Sequence, residues 1–424
     1  RSCSCPLAHA ESHAMTIPKL EGVAGPSMPA GTGTPRTPRT PRGTRRDTKE
    51  DLAGVMRALA DLGLPGQSSA EQPGPSAAEQ RPPRSSTVDA PSQACEWPRY
   101  TALVELVCGH DHALVTALCA VAEVSEVEPA AKALLAICLR HGDALAMVRA
   151  CIRAEFASKG THPAQIFRSQ NLASRVVGAH ARTVGSTFLC KTLHACVTAL
   201  VEQCSNFEVD PARLAGDAHV GDEAVAARRG ELALWSELFV ARITACSTLH
   251  DMPHEMCVLL LEIQSRAEAL RLDKSQVNAL LGGYLFLRFL NPAVVAPEAN
   301  GILPSPPSAE ARRALVLVSK LLQAAANGVE FGAKEAFMVP LNGVVEAAIP
   351  KVNSFLEAAA ALSRAPKHAD SRRDAAATPR GPSFHENLRV LHSVLLRRHA
   401  KLTAALPAEA AAALGDVLER LGPV

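Results

Sequence analysis

The chain has 424 residues, of which 47% are hydrophobic, 20% charged and only 4% aromatic, and its formal net charge is +2. This length permits a large core of one or two domains. The near-zero net charge argues against a dedicated nucleic-acid-binding protein, which would usually carry a strongly basic face. No apolar run approaches the roughly 18 residues of a membrane span, and the start lacks the features of a secretory signal. Because the first residue is Arg1 and not Met, we expect a fragment or an incomplete gene model.

Motifs of common active sites are absent from the sequence. Twelve cysteines are scattered without a Cys-x-x-Cys pair, so we expect free thiols in a reducing cytosol rather than a disulfide or zinc framework. His250 and His254 stand one helical turn apart, but no third ligand lies in register, which favours two surface histidines over a metal site. There is no glycine-rich phosphate loop and no Gly-x-Ser-x-Gly element. We therefore expect the chain to hold neither a nucleotide nor a metal of its own.

The composition changes sharply near residue 96. All fifteen Phe, Trp and Tyr residues lie from Trp97 onward, whereas residues 1–96 hold 13 of the 30 prolines. A segment without aromatic residues buries too little apolar area to offset its ordering entropy, so residues 1–96 are predicted to be a disordered tail. Its Thr-Pro-Arg repeat at 34–42 is typical of a solvated linker. The alternatives are a phosphorylation cluster and a basic arm for acidic lipid.

The remainder of the chain has a helical pattern. Across residues 97–365, runs rich in Ala and Leu with apolar residues three and four apart recur between short polar breaks, which predicts an all-α domain of about ten helices. Residues 366–382 are predicted to be a linker. Residues 383–424 are predicted to form two closing helices, 384–406 and 408–421. The first carries an apolar stripe that we expect to pack on the main helical body, and this stripe comprises Leu388, Leu391, Leu395 and Leu402.

Arg168 lies in a cluster of unusual composition. Residues 165–174 read QIFRSQNLAS and follow the helix-breaking stretch that ends at Pro163, so Arg168 is predicted to lie in or beside an interhelical loop. An arginine in such a loop is usually only solvated, and position alone favours that interpretation. The alternative is an arginine presented to the phosphates of another molecule, since guanidinium stays charged and offers a planar fork of donors.

A second arginine, Arg288, lies inside one of the most apolar runs of the chain. Residues 284–297 read YLFLRFLNPAVVAP, and a charge in such a run is costly unless it is paired and hydrogen-bonded. One interpretation is a side chain that reaches solvent or a nearby carboxylate. The other is a buried fork that binds backbone carbonyls of a loop and fixes its shape. Asn291 and Pro292 are predicted to end the helix.

A third feature is a predicted helix over residues 309–326. Its apolar stripe comprises Leu315, Val318, Leu322 and Ala325, and its polar stripe comprises Arg313, Lys320, Gln323 and Asn327. A polar stripe is normally the wet face of a helix. The alternative is a docking surface for an acidic partner.

Together these clusters resemble the catalytic domain of Ras GTPase-activating proteins (RasGAPs), in particular the neurofibromin-like members. The likeness covers about residues 103–361, and the run FLRFLNPA at 286–293 is similar to the signature of the family. The segments 207–214, 318–327 and 331–335 follow with matching spacing. The closing helix at 388–402 resembles one that completes the accessory part of such domains.

The resemblance implies a role for individual residues. Arg168 matches the arginine finger that a RasGAP inserts into its partner, and Arg288 matches the second arginine that steadies the finger loop. The positions expected to contact the GTPase are Phe167, Leu172, Leu287, Asn291, Lys320, Gln323, Asn327, Lys334 and Glu335. The implied function is stimulation of GTP hydrolysis by a Ras-like small GTPase in its GTP-bound form, which negatively regulates Ras signalling. The chain would be an activator and not itself an enzyme, and GTP and Mg²⁺ would belong to the partner.

Ser169 departs from the pattern of the family, in which glycine usually follows the finger. If that glycine adopts a backbone conformation costly for other residues, Ser169 would misplace the finger carbonyl. Two rival classes therefore stay open: a catalytically weak module that binds a GTPase as a scaffold or effector, and a general helical scaffold. We expect a cytoplasmic protein that binds no nucleic acid. The alternative of a basic arm in the tail would add recruitment to the inner face of the plasma membrane.

Overall fold

Amphipathic runs of Ala and Leu form helices throughout the described part of the protein. The structure, a computed structural model, describes residues 97–109, 111–158, 162–203, 206–214, 221–363 and 383–424. Within these ranges the secondary structure is helical and no strand occurs, so the predicted all-α class is confirmed. The predicted tail 1–96 and linker 366–382 lie outside the described residues.

The first half of the domain contains nine α-helices among the described residues. They are α1 (Thr101–Val107), α2 (Ala113–Val121), α3 (Val124–Arg140), α4 (Ala144–Ala157), α5 (Leu172–Val184), α6 (Ser186–Gln203), α7 (Pro211–Leu214), α8 (Asp222–Ile243) and α9 (Cys246–Asp251). Short 3₁₀ turns occupy Trp97–Tyr100 and Pro163–Gln165. The start of α5 is fixed by its cap, because the Asn171 side chain accepts a hydrogen bond from the Ser174 amide at 2.8 Å.

The second half is built around a π-helix, Gly283–Leu290. The α-helices of this half are α10 (His254–Ala269), α11 (Lys274–Gly282), α12 (Asn291–Val295), α13 (Ala309–Asn327), α14 (Asn342–Leu362), α15 (Phe384–Ala405) and α16 (Ala408–Leu421), with 3₁₀ turns at Glu298–Asn300 and Ala333–Leu341. Fourteen α-helices precede residue 363 in the described ranges, against about ten predicted. The difference arises because α1, α7, α9 and α12 have seven residues or fewer.

The π-helix lies in the apolar interior, where it contacts α5, α11, α12 and α13. Tyr284, Phe286 and Phe289 are fully buried, and the Phe289 ring stacks on that of Phe188 with 6.1 Å between centroids. This packing places one residue of the π-helix, Arg288, beside the loop that precedes α5.

The prediction that Asn291 and Pro292 end the helix is wrong. Helical geometry continues to Val295, and the Asn291 amide donates to the Phe286 carbonyl, five residues earlier. Proline in an α-helix clashes with the carbonyl four residues before it, here that of Arg288, and the wider π-helical turn moves this carbonyl aside. The carbonyl of Arg288 faces α5 at Gly178, where an added Cβ would lie 3.4 Å from its oxygen.

The closing helices pack on the beginning of the domain. The side chains of the predicted stripe on α15 are fully buried, and α15 contacts α2 and α3 while α16 contacts α1. The expectation that this stripe packs on the main helical body is therefore confirmed.

No single helix in the described ranges is long and apolar enough to cross a membrane. The helices Leu172–Val184 and Ser186–Gln203 reach that length and apolarity only as a pair, and they bend by 76° at their junction.

Candidate functional site

The loop between α4 and α5 presents Arg168 to solvent. The 3₁₀ turn at Pro163–Gln165 leads into it, and the Arg168 amide donates to the Gln165 carbonyl at 2.9 Å. The Arg168 side chain is exposed, whereas the preceding side chain, Phe167, is completely buried. The prediction of an exposed arginine in an interhelical loop is confirmed.

The backbone at Phe167 has an unusual conformation. Its φ is 62°, in the left-handed region that costs a residue with a side chain roughly 1–2 kcal/mol. Burial of the ring against Phe156, with 6.1 Å between ring centroids, anchors the residue. Such a conformation persists only where surrounding contacts over-determine it, and two charged side chains supply those contacts.

Arg288 holds the loop from the side of the π-helix. Its Nε donates to the Phe167 carbonyl and one Nη donates to the Ser169 carbonyl, both at 2.5 Å. Burial lowers the pKa of Arg288, the positive charge of Arg175 lowers it further, and Glu155 opposes this. The side chain is half-buried, and it binds two loop carbonyls, which is the second of the two interpretations that the sequence left open.

Glu155, near the end of α4, holds the same loop from the opposite side. The residue is 3% exposed, and its carboxylate accepts four hydrogen bonds. The donors are the backbone amide of Phe167 at 3.2 Å, the Ser169 hydroxyl at 3.2 Å, the side-chain amide of Asn171 at 2.5 Å and the Ser174 hydroxyl at 3.4 Å. Sequence reasoning missed this residue. The available signal was a carboxylate at helical spacing from the apolar face of α4.

Ser169 does not occupy the left-handed region. Among described non-glycine residues, positive φ occurs at His112, Phe167 and Arg271. The strained position is therefore Phe167, one residue before the finger. Ser169 thus lacks the costly backbone conformation on which the expected misplacement depended, and its own carbonyl accepts a hydrogen bond from Arg288.

Side-chain amides connect the loop to α13. The Asn291 amide donates to Gln323 at 2.8 Å, and the Gln323 amide donates to the Asn327 oxygen at 2.9 Å. The same Asn327 oxygen accepts a hydrogen bond from Arg168 at 2.9 Å. Four residues that the sequence predicted for one site therefore form one chain of hydrogen bonds.

The comparisons with known proteins agree with this arrangement. Residues 219–327 match the RasGAP model, a family described as "GTPase-activator protein for Ras-like GTPase". The chain carries a RasGAP domain. The matched segment contains Arg288, Lys320, Gln323 and Asn327, whereas Arg168 precedes it.

Curated relatives show the same similarity over a longer stretch. The chain is 30% identical over 244 residues to Neurofibromin-A of Dictyostelium discoideum, covering 54% of this chain and 26% of that protein. It is 30% identical over 261 residues to RAS protein activator like-3 of Homo sapiens, covering 61% and 25%. It is 30% identical over 244 residues to Ras GTPase-activating protein raskol of Drosophila melanogaster, covering 56% and 14%. The chain thus spans about a quarter or less of these relatives.

Three residues predicted to contact a partner have buried side chains in this RasGAP domain. Phe167 and Leu172 are buried in the hydrophobic core, and Asn291 is buried beneath Gln323. Apolar packing removes the first two from the surface, so we reassign them to the support of the loop. The exposed or partly exposed members of the predicted set are Arg168, Leu287, Arg288, Lys320, Gln323, Asn327, Lys334 and Glu335.

The residues of the polar stripe of α13 bind different parts of the structure. Lys320 forms an ion pair with Glu335 in the following 3₁₀ turn, whereas Arg313 forms two 2.8 Å hydrogen bonds to the Glu208 carboxylate. Burial raises the pKa of Glu208, but the bonds from Arg313 contribute to a net lowering. Arg313 therefore connects α13 to the segment before α7. The alternative of a docking role applies only to Lys320, Gln323 and Asn327.

Several arginines lie near the loop that carries Arg168. Arg175 and Arg182 lie seven residues apart on α5, and Arg175 pairs with Glu128 at 3.1 Å. Burial lowers the pKa of Arg182 and the charge of Arg175 lowers it further, while Glu128 opposes this. The loop that carries Arg168 therefore lies near Arg175, Arg182 and Arg288 as well as the carboxylates of Glu128 and Glu155.

The eight cysteines in the described ranges are free, in agreement with the prediction for that part of the chain. In the same ranges, no group of three or more His, Cys, Asp or Glu residues is arranged to hold a metal ion.

Proposed function

We propose that the chain stimulates GTP hydrolysis by a Ras-like small GTPase in its GTP-bound form, with Arg168 as an arginine finger supplied in trans. The observation that carries this proposal is an exposed arginine on a loop held from both sides, by Arg288 and Glu155. The RasGAP domain and the relatives whose names state Ras GTPase activation support it.

The mechanism follows from the charge that develops during phosphoryl transfer. As the bond to the γ-phosphate breaks, negative charge spreads over its oxygens and the bridging oxygen. Arg168 would leave Asn327, enter the active site of the partner, and donate hydrogen bonds to these oxygens while excluding water. Arg288 would not contact the nucleotide, because its guanidinium is occupied by two loop carbonyls. In this proposal GTP and Mg²⁺ belong to the partner.

The proposed docking surface adjoins the finger. It comprises Leu287 beside Arg288 and the residues Lys320, Gln323, Asn327, Lys334 and Glu335 of α13 and the following turn. We place the activity in the cytoplasm, with recruitment to anionic lipid through the tail as a separate proposal, since the tail lies outside the described residues.

The test is single-turnover hydrolysis by a panel of GTP-loaded Ras-like GTPases, with and without this chain. Arg168→Ala should leave folding and most of the affinity intact, and it should slow stimulated hydrolysis about a thousandfold or more, the general range for arginine fingers. Arg288→Ala should lower both the rate and the melting temperature, because two loop carbonyls would lose their donor at a local cost of roughly 1–3 kcal/mol.

Lys320→Glu provides the complementary variant. It should weaken binding in a salt-dependent manner and leave the rate at saturation close to that of the parent, since a charge at a docking surface acts mainly on association. Absence of acceleration across the panel would refute the proposed function. Binding without acceleration would leave the alternative, a scaffold or effector module, and equal rates for Arg168→Ala and the parent would refute the finger.

A further inference from the structure

We infer that Glu155 is a positioning residue for the arginine finger, and that its buried carboxylate fixes the backbone from Phe167 to Asn171 before a partner arrives. The inference rests on the proposed function. It concerns a residue that never contacts the partner in this arrangement and acts only through Arg168.

Four hydrogen-bond donors converge on this carboxylate. Oε1 of Glu155 accepts from the Phe167 amide and from the hydroxyls of Ser169 and Ser174, and Oε2 accepts from the Asn171 side chain. An ionised carboxylate accepts several hydrogen bonds and donates none, which matches this set. Two of the four partners, Phe167 and Ser169, adjoin Arg168, and a third, Asn171, lies three positions after it.

Glu155 and Arg288 bind different polar groups of the same two loop residues. At Phe167 the amide donates to Glu155 while the carbonyl accepts from Arg288. At Ser169 the hydroxyl donates to Glu155 while the carbonyl accepts from Arg288. A negative charge on one side and a positive charge on the other therefore orient the loop between them.

The backbone of Phe167 needs these restraints to keep its conformation. Its φ of 62° is unfavourable for a residue with a side chain, so the loop would relax toward another conformation once its restraints were removed. Arg288 alone restrains only the carbonyls. Without Glu155 no described side chain replaces the acceptor for the Phe167 amide, and the direction of Arg168 would no longer be set.

The geometry also predicts the effect of Glu155→Gln. A glutamine side chain has an NH₂ group in place of one carboxylate oxygen. This NH₂ group would face either the three groups that donate to Oε1 or the side-chain NH₂ of Asn171 that donates to Oε2. Asn171 cannot reverse its amide without losing the bond that its oxygen accepts from the Ser174 amide at the start of α5. The isosteric variant therefore sets donor against donor, whereas Glu155→Asp keeps the charge and recovers part of the contacts.

Glu262 provides a matched control. It is also a buried carboxylate, and it accepts hydrogen bonds from Arg149, on the same helix α4 as Glu155, at 2.7 and 3.0 Å and from Arg266 at 2.9 Å. Glu262→Gln removes a buried charge and perturbs α4 without touching the loop.

The kinetic experiment uses the GTPase of the panel that responds most strongly to the parent. Single-turnover hydrolysis at saturating Glu155→Gln should be about a hundredfold slower, the order of loss expected for misplacement of a reacting group by about 1 Å. Affinity should change only a few-fold. Glu155→Asp should recover part of the rate, and Glu262→Gln should leave it close to that of the parent. A parent-like rate for a folded Glu155→Gln protein would overturn the inference.

A double variant separates positioning from general damage. In a protein that already carries Arg168→Ala, adding Glu155→Gln should cause no further loss of rate, because Glu155 acts through Arg168. A further loss as large as in the parent background would overturn the inference. Should Glu155→Gln fail to fold, Glu155→Asp takes its place in both backgrounds.

Amide hydrogen exchange of the free protein supplies a readout that needs no GTPase. Exchange across residues 165–171 should be faster in Glu155→Gln than in the parent or Glu262→Gln. Absence of acceleration by the parent would refute the proposed function while this difference in exchange still supported loop positioning. Unchanged exchange would overturn the inference even if the parent proved to be an activator.

Discussion

Ser169 holds the finger loop through both its backbone and its side chain. Its carbonyl accepts a hydrogen bond from Arg288, and its hydroxyl donates to Glu155. The resemblance to RasGAPs led us to expect glycine here and to suspect strain. The structure instead places the left-handed conformation at Phe167, and the serine hydroxyl adds a contact that glycine lacks.

Ser169→Gly should therefore slow stimulated hydrolysis rather than accelerate it. The variant loses a hydrogen bond worth about 0.5–1.5 kcal/mol and gains backbone freedom, so we expect a several-fold lower single-turnover rate. Ser363→Gly is a suitable control, because it removes a hydroxyl bond to the Ala360 carbonyl at the end of α14, away from the loop. A higher rate for Ser169→Gly would identify serine as an impairing substitution.

The contact between α11 and α13 determines where the proposed docking surface lies. At Gly282, the last residue of α11, an added Cβ would lie 2.4 Å from the Ala326 carbonyl oxygen. This neighbour belongs to the backbone and cannot rotate away. The side chains of Gln323 and Asn327 project from the same end of α13, so the close approach of the two helices fixes their distance from the finger.

Gly282→Ala should push α13 away from α11. We expect a loss of roughly 1–3 kcal/mol in the free energy of unfolding, as for other overpacked sites, together with weaker GTPase binding. Gly343→Ala is the matched control, since Gly343 lies in α14 with no neighbour within 4 Å of the added Cβ. It should be neutral or stabilise the helix by up to about 1 kcal/mol. Chemical denaturation and binding measured on both variants would check this, and an unchanged Gly282→Ala protein would contradict it.

Local sequence signals predicted the helices well, but they did not predict features that depend on tertiary contacts. The predicted helices 309–326 and 408–421 differ from the observed bounds by one residue or none, because periodicity and capping are written in the local sequence. The π-helix was missed because it depends on Pro292 and on packing against α5. Glu155 was missed because its loop partners lie 12 to 19 residues away. Arg288 was found because a charge in an apolar run demands a partner.

Across the whole domain, one ion-pair cluster joins the first helices to the last. Glu126 of α3 is buried and accepts hydrogen bonds from Arg397 and Arg398 of α15 at 2.9 and 2.7 Å, across 271 and 272 positions of sequence. Burial raises the pKa of Glu126, but the bonds from Arg398 and Arg397 outweigh it and lower the pKa from 4.5 to about 2. The two ends of the domain are thereby linked by charge as well as by the leucine stripe.

Glu126→Gln should destabilise the domain by roughly 3 kcal/mol at neutral pH, because a buried pair loses one charge. A carboxyl group whose pKa is lower in the folded than in the unfolded state stabilises the fold at pH values above its unfolded pKa. This stabilisation is lost as the pH falls through the folded-state pKa. The difference in unfolding free energy between parent and variant should thus shrink between about pH 4.5 and pH 2. Denaturation curves at several pH values would measure it. A difference independent of pH would show that the charge of Glu126 is not responsible.

At rest, Arg168 is held at the surface by one hydrogen bond to Asn327. A bond worth about 0.5–1.5 kcal/mol favours the docked rotamer over released ones by only about two- to tenfold. Exposed side chains exchange rotamers within picoseconds to nanoseconds, far faster than two proteins meet. Under the proposed function, an arriving partner would therefore encounter Arg168 already in equilibrium between both orientations. Phe167 already has its left-handed φ in the free protein, so under the proposed function the readiness of Arg168 should not limit the turnover of the partner.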